Sequence, residues 1–158
     1  MSSSTLWLVR HADAGSRGRG KSDLDRPLSP RGRVEAEAIA AWLAADVVIP
    51  RLYWSSPYLR CIETLQPAVL AAGARIKVVA ELGEGNGKLD WPQLVAGNAV
   101  VACSHGDVIP VTVAQLAKRF GLDVGGVVRC AKGSVWRFAG DDEVFHSVSY
   151  HEFVQPDL

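Results

Sequence analysis

Three short segments carry side chains suited to handling an anion: Val9-Arg10-His11-Ala12, Ser55-Ser56-Pro57-Tyr58-Leu59-Arg60 and Ser104-His105-Gly106-Asp107. Arginine presents a planar fork of donors that matches phosphate or carboxylate oxygens. A transferring phosphoryl group gains charge on its oxygens, and fixed cationic donors such as Arg10 and Arg60 are what it requires. Histidine adds a nucleophile that is neutral near pH 7 and, when protonated, one more donor. Each residue alone also reads as structural: a strand-end histidine that is merely satisfied, or a surface arginine.

The elements that must bring them together follow from local pattern. Leu6–Val9 is a short apolar run that reads as a buried strand ending in Arg10-His11. Ser29-Pro30 gives a helix cap and first-turn proline for a helix running to about Asp46. Leu52–Trp54 reads as a second strand, and Ser56-Pro57 repeats the cap signal for a helix over Tyr58 to Ala72 that Pro67 should kink or end. Further strands are expected at Ile76–Val79 and Ala99–Cys103, with helices at Trp91–Val95 and Val108–Phe120. Val135–Phe138 and Val144–Tyr150 form a hairpin pattern. Strands alternating with helices predict an α/β fold: a three-layer α/β/α sandwich, mainly parallel, with an antiparallel edge strand or hairpin near the C-terminus. Ligands of such sheets bind outside the carboxyl ends of the strands, where Arg10, His11 and His105 fall. Arg60 falls in a first helical turn, a place unfavourable to a cation unless an anion is shared there.

Composition bounds the rest. The 158 residues balance 17 basic against 17 acidic side chains, 48% are hydrophobic and 22% charged. This describes one globular domain over 1–158 and argues against general binding to nucleic acid or acidic membrane. Neutrality hides asymmetry: residues 1–33 hold seven Arg or Lys against three Asp, and residues 141–158 hold five acids and no Arg or Lys. No secretory leader or spanning segment is apparent, and three cysteines without CxxC spacing favour a reducing, cytoplasmic setting without a zinc site.

The joint pattern Arg10-His11-Ala12, Ser55-Ser56-Pro57 with Arg60 and Thr64, and Ser104-His105-Gly106 resembles the histidine phosphatase superfamily, the phosphoglycerate-mutase-like proteins. Leu24-Asp25-Arg26-Pro27-Leu28-Ser29-Pro30-Arg31-Gly32 is similar to the short bacterial phosphohistidine phosphatases in particular. The resemblance implies that His11 takes the phosphoryl group as a covalent phosphohistidine, that Arg10, Arg60 and His105 bind it, and that no metal or cofactor takes part. It also implies a general acid after Leu82-Gly83, making Glu84 the first choice and Glu81 the fallback, with solvated loop carboxylates as the alternative. Arg17, six residues after His11, falls where relatives place a further substrate-binding side chain. The chain has no room for the insertions of sugar-phosphate mutases, which favours hydrolysis. Ala12 replaces a commoner glycine, implying an ordinary backbone angle and a small side chain that keeps the pocket open.

The substrate implied is a phosphomonoester, either a small molecule or a protein phosphohistidine. Val101–Pro110 and Lys132–Trp136 are also similar to the phosphatase domain carried by some Nudix hydrolases, which implies a small nucleotide. A catalytically silent phosphate-binding module is the non-enzymatic alternative. Gly15–Ser22 matches G-x-x-x-x-G-K-S, but Pro27 breaks the helix that a nucleotide-binding loop needs after Lys21-Ser22. Cys103 is a candidate for the pocket floor and Trp91 for its wall, while His146 and His151 read as surface or edge residues.

Overall fold

The computed structural model describes residues 1–16, 22–86 and 88–153. Its strands are β1 (Ser3–Arg10), β2 (Leu52–Ser55), β3 (Ile76–Val78), β4 (Ala99–Ser104), β5 (Val135–Asp141) and β6 (Val144–His151). They form a single sheet in the order β3-β2-β4-β1-β5-β6. The first four in that order run parallel, and β5 and β6 add antiparallel to β1 as the expected hairpin.

Alternation along β1 and β4 builds two cores. Trp7, Val9, Val101 and Cys103 pack against Ile39 and Leu43 of α1 (Pro30–Ala44) and Leu65 and Val69 of α2 (Leu59–Ala72). Leu6, Leu8, Val100 and Ala102 face the other way, against Trp91 and Val95 of α3 (Trp91–Val95) and Ile109, Val113 and Leu116 of α4 (Ile109–Phe120). The strand period of two thus feeds both outer layers, and the three-layer sandwich is the one expected. Among the described residues, no helix is long and apolar enough to cross a membrane.

Two local expectations need correction. Ser29 does cap α1, its Oγ accepting from Gly32 N, with Pro30 in the first turn. Ser56 does not cap α2, which starts at Leu59 after Tyr58; its Oγ accepts from Tyr58 N at 3.3 Å, ahead of the helix, and also bonds His105 Nε2 at 2.8 Å. Pro67 does not end α2. Buried Leu65, Ala68 and Val69 hold the helix against the sheet on both sides of it, offsetting the ~3 kcal/mol an interior proline costs.

Register sets the site. Arg10 lies opposite Ser104, and Ser55 lies opposite Cys103. The carboxyl ends of β1, β2 and β4 are therefore nearly level, and His11, Ser56 and His105 emerge side by side.

Candidate active site

A cleft of about 370 Å³ opens at those strand ends, lined by Arg10, His11, Arg26, Arg60, Glu84, His105, Gly106, Asp107 and Lys132. It brings together five of the six residues singled out from the sequence. The sixth, Arg17, lies outside the described residues, as does Lys21. Glu81 is not in this cleft; it borders a separate hollow with Gly85, Asn86 and Lys88.

His11 is 6% exposed. Its Nδ1 lies 2.8 Å from Ala12 O. A carbonyl only accepts, so Nδ1 carries the proton and Nε2 keeps its lone pair. No hydrogen bond from the described residues engages Nε2. Burial drives the ring's pKa down from 6.5 to about 3, with Arg60, His105 and Arg10 adding to the fall and the Ala12 bond opposing it. The ring is therefore neutral across the physiological range. The following residue anchors it: Ala12 N donates to Thr64 Oγ1 at 2.9 Å, and Thr64 Oγ1 donates to Arg60 O at 2.6 Å. Thr64 thus ties the β1 end to the first turn of α2.

Arg60 is 1% exposed. Its guanidinium donates to Asp23 O at 3.0 Å and pairs with Asp23 Oδ2 and Glu84 Oε1 at 3.3 and 2.5 Å, lying over the Tyr58 ring. His105, equally buried, holds Ser56 Oγ through Nε2 and turns Nδ1 toward Glu84 Oε1 at 3.5 Å. Arg10 donates to Cys130 O. Its guanidinium lies so close over Gly106 that a Cβ there would stand 2.7 Å from Cζ, which is why this position takes glycine. Among the described residues, Arg10 Nε, Arg60 Nε and His105 Nδ1 are buried without a hydrogen-bond partner. Unsatisfied buried donors are costly, and an anion seated among these side chains would offset that cost.

Behind His11, the β1 end is braced by residues sequence reasoning did not single out. Asp13 N donates to buried Glu35 Oε1, and Ser29 Oγ donates to Asp13 Oδ2. Desolvation raises the Glu35 pKa, whereas the Ser29 bond lowers that of Asp13. Gly133 N meets both Arg10 O and His11 O, which carries Lys132 to the cleft mouth, 3.4 Å from Asp13 Oδ1. Arg26 arrives on the turn after Asp23–Asp25 and pairs with Asp23. Arg26, Asp107 and Lys132 are the lining residues missed. Their available signal was position inside quoted motifs, but their approach to the cleft depends on loop paths that no periodicity encodes.

Three smaller expectations change. Ala12 has an ordinary backbone angle, since Asp142 is the one described non-glycine residue with positive φ. Its side chain, however, packs with Leu28 and Ala36 in a small core and does not open the pocket. Cys103 faces the α1–α2 core, and the thiol beneath the site is Cys61, with Sγ 3.6 Å from His105 Nε2. Trp91 is 3% exposed and stacks on Trp54 inside the fold, so it walls no entrance.

Comparison with known proteins bears on this arrangement. The family model described as the histidine phosphatase superfamily (branch 1) matches residues 6–94, more than half of the chain. The 8-oxo-(d)GTP phosphatase of Mycolicibacterium smegmatis is 33% identical over 116 residues, which are 67% of this chain and 35% of that relative. The chain thus spans about a third of that relative's length. Among solved structures, an Agrobacterium tumefaciens protein assigned as the phosphohistidine phosphatase SixA superposes with a TM-score of 0.74 at 24% identity, covering 97% of this chain and 98% of that one. The protein histidine phosphatase SixA complexed with tungstate gives 0.72 at 20% identity, covering 94% of each chain. At these identities the two structures speak for the fold, and the family model for membership. With strand ends, helix start and motif order all in agreement, the chain belongs to the histidine phosphatase superfamily, branch 1.

Proposed function

We propose that this protein is a phosphatase that passes the phosphoryl group through a covalent adduct on His11 Nε2. The observation that carries the reading is the His11 Nδ1 bond to Ala12 O, which leaves a neutral ring with Nε2 as a free nucleophile beside Arg10 and Arg60. Nε2 attacks phosphorus, and the bond from phosphorus to the leaving oxygen or nitrogen breaks. The leaving atom takes a proton through Glu84, whose carboxylate pairs with Arg60 and picks up that proton from the substrate monoanion or solvent once the phosphoryl oxygens displace it from Arg60. Arg10, Arg60 and His105 Nδ1 hold the equatorial oxygens as charge builds on them. Water then attacks the phosphohistidine and gives its proton to the Glu84 carboxylate, which releases phosphate and restores His11. None of these steps calls for a metal or cofactor.

The cleft lining supports a protein phosphohistidine as substrate. The lining residues are charged or polar groups and Gly106, and the aromatic ring beside them, Tyr58, is packed against Arg60 and His105. A substrate whose leaving group stays outside the cleft fits that lining. The identity shared with the 8-oxo-(d)GTP phosphatase favours the second reading, a small nucleotide. Three free cysteines fit a cytoplasmic setting for either.

Phosphate release in the presence of a chelator, compared among a phosphohistidine protein, nucleoside diphosphates and simple monoesters, tests the proposal. The expected order puts the phosphohistidine protein first. Faster release from nucleoside diphosphates would select the second reading. Strict Mg²⁺ dependence with loss in Lys21→Ala would overturn both in favour of a nucleoside triphosphatase, and no turnover on any substrate would favour a silent binding module.

A further inference from the structure

We propose that Asp107 is a positioning residue that holds the Glu84 loop over the reacting phosphorus; this rests on the reading of Glu84 as proton donor. Glu84 sits on an open loop, its side chain 43% exposed, yet its carboxylate reaches both Arg60 and His105. Something must hold an exposed glutamate there, since fixing a long side chain and its loop costs conformational entropy. Two tethers do so, one on each side of it. Upstream, Ser104 Oγ donates to Leu82 O at 2.6 Å, with the Leu82 side chain 1% exposed in the α3–α4 core. Downstream, Gly85 N donates to Asp107 Oδ2 at 2.9 Å.

Both anchors flank His105, so the turn after β4 fixes the second histidine and the acid loop as one unit. The other downstream bonds, Asn86 N to Gly83 O and Asn86 Nδ2 to Ala80 O, close the loop on itself and make no link to the strand end. Gly85 has φ +78, so the chain reverses there and presents its N–H to Asp107. Among the described residues, Asp107 is the one link between that reversal and the strand end.

Charge gives the alternative, and it has the opposite sign. Asp107 is an exposed carboxylate on the wall of a cleft built for a dianion. Acting through charge alone it repels substrate, and removing it would raise kcat/KM for every phosphate ester by one common factor. Acting as a tether, it affects most the esters that depend on Glu84 for a proton. An alkyl phosphate has a poor leaving group and needs that proton; p-nitrophenyl phosphate needs it little.

The experiment measures kcat/KM for an alkyl phosphate and for p-nitrophenyl phosphate in the full chain and in Glu84→Gln, Asp107→Ala and Asp107→Asn. Glu84→Gln is expected to lower the alkyl value about 100-fold more than the aryl value. Asp107→Ala should reproduce that selectivity at about tenfold. Asp107→Asn, which keeps an acceptor oxygen for Gly85 N, should restore the wild-type alkyl-to-aryl ratio. Equal factors for both esters in Asp107→Ala, with Glu84→Gln still selective, would overturn the tether and leave the acid reading intact. A non-selective Glu84→Gln would overturn the acid reading and the tether with it. Should Asp107→Ala fail to fold, a shifted alkyl-to-aryl ratio in folded Asp107→Asn would count against the proposal.

Discussion

The cleft has an inner wall and a rim, and the two are built differently. His11, Arg60 and His105 of the inner wall are 6%, 1% and 1% exposed, and each is fixed by contacts to backbone or to neighbouring buried side chains. Glu84, Asp107 and Lys132 of the rim are exposed and stand on loops. Charges held in a dry, fixed setting act strongly on a developing oxyanion, whereas charges in water are screened and mobile. Under the proposed mechanism this difference would separate duties: the inner wall would set which bond is made to phosphorus, and the rim which leaving group is served and how readily the substrate docks.

Mutation can break that division at either end. His11→Asn, which keeps a polar side chain but removes the ring nucleophile, should lower p-nitrophenyl phosphate turnover by at least about 10⁴-fold. Residual activity above that level would place the nucleophile elsewhere. Arg60→Ala should cost about 10²- to 10³-fold in kcat, and Arg60→Lys should recover little of it because a point charge does not replace the fork. Gly106→Ala crowds the Arg10 guanidinium without touching a core, so a loss of about tenfold in kcat/KM with an unchanged melting temperature is expected. Unchanged activity would show that Arg10 works equally well from a shifted position.

At the rim, Lys132→Ala should raise KM no more than about fivefold and leave kcat nearly alone, with the effect shrinking as salt is added. A large fall in kcat instead would move Lys132 to the inner wall. Acid titration gives a further contrast. His11 binds a proton near pH 6.5 when unfolded but only near pH 3 when folded. The unfolded state therefore gains protons first, and stability falls as pH drops from 6.5 toward 3 by up to about 1.4 kcal/mol per pH unit. Melting temperatures of His11→Asn across that range should fall less steeply than those of the wild type. Parallel curves would mean that His11 is not buried neutral.

The same division explains what the sequence made legible. Arg10, His11 and His105 follow short apolar runs, and Arg60 opens a helix, so local pattern alone located the strand ends that carry the inner wall. Ser56 misled for a local reason: a serine before proline signals a cap, but α2 starts three residues later, and the hydroxyl accepts from Tyr58 N outside the helix while bonding His105 far along the chain. The rim was less legible because it depends on strand neighbours. Lys132 reaches the cleft because β5 pairs antiparallel with β1 and Gly133 N meets Arg10 O and His11 O. Asp107 matters because of where Gly85 turns. Neither pairing follows from hydropathy, charge or spacing.

The central claim is that phosphoryl transfer passes through His11 Nε2, and the direct measurement is the adduct. Brief reaction with a ³²P-labelled substrate followed by denaturing quench should leave label on the protein that survives alkali, is released by acid and maps to His11, and the label should be missing from His11→Asn. Rapid turnover with no labelled protein at any quench time, or label on another residue, would contradict the account.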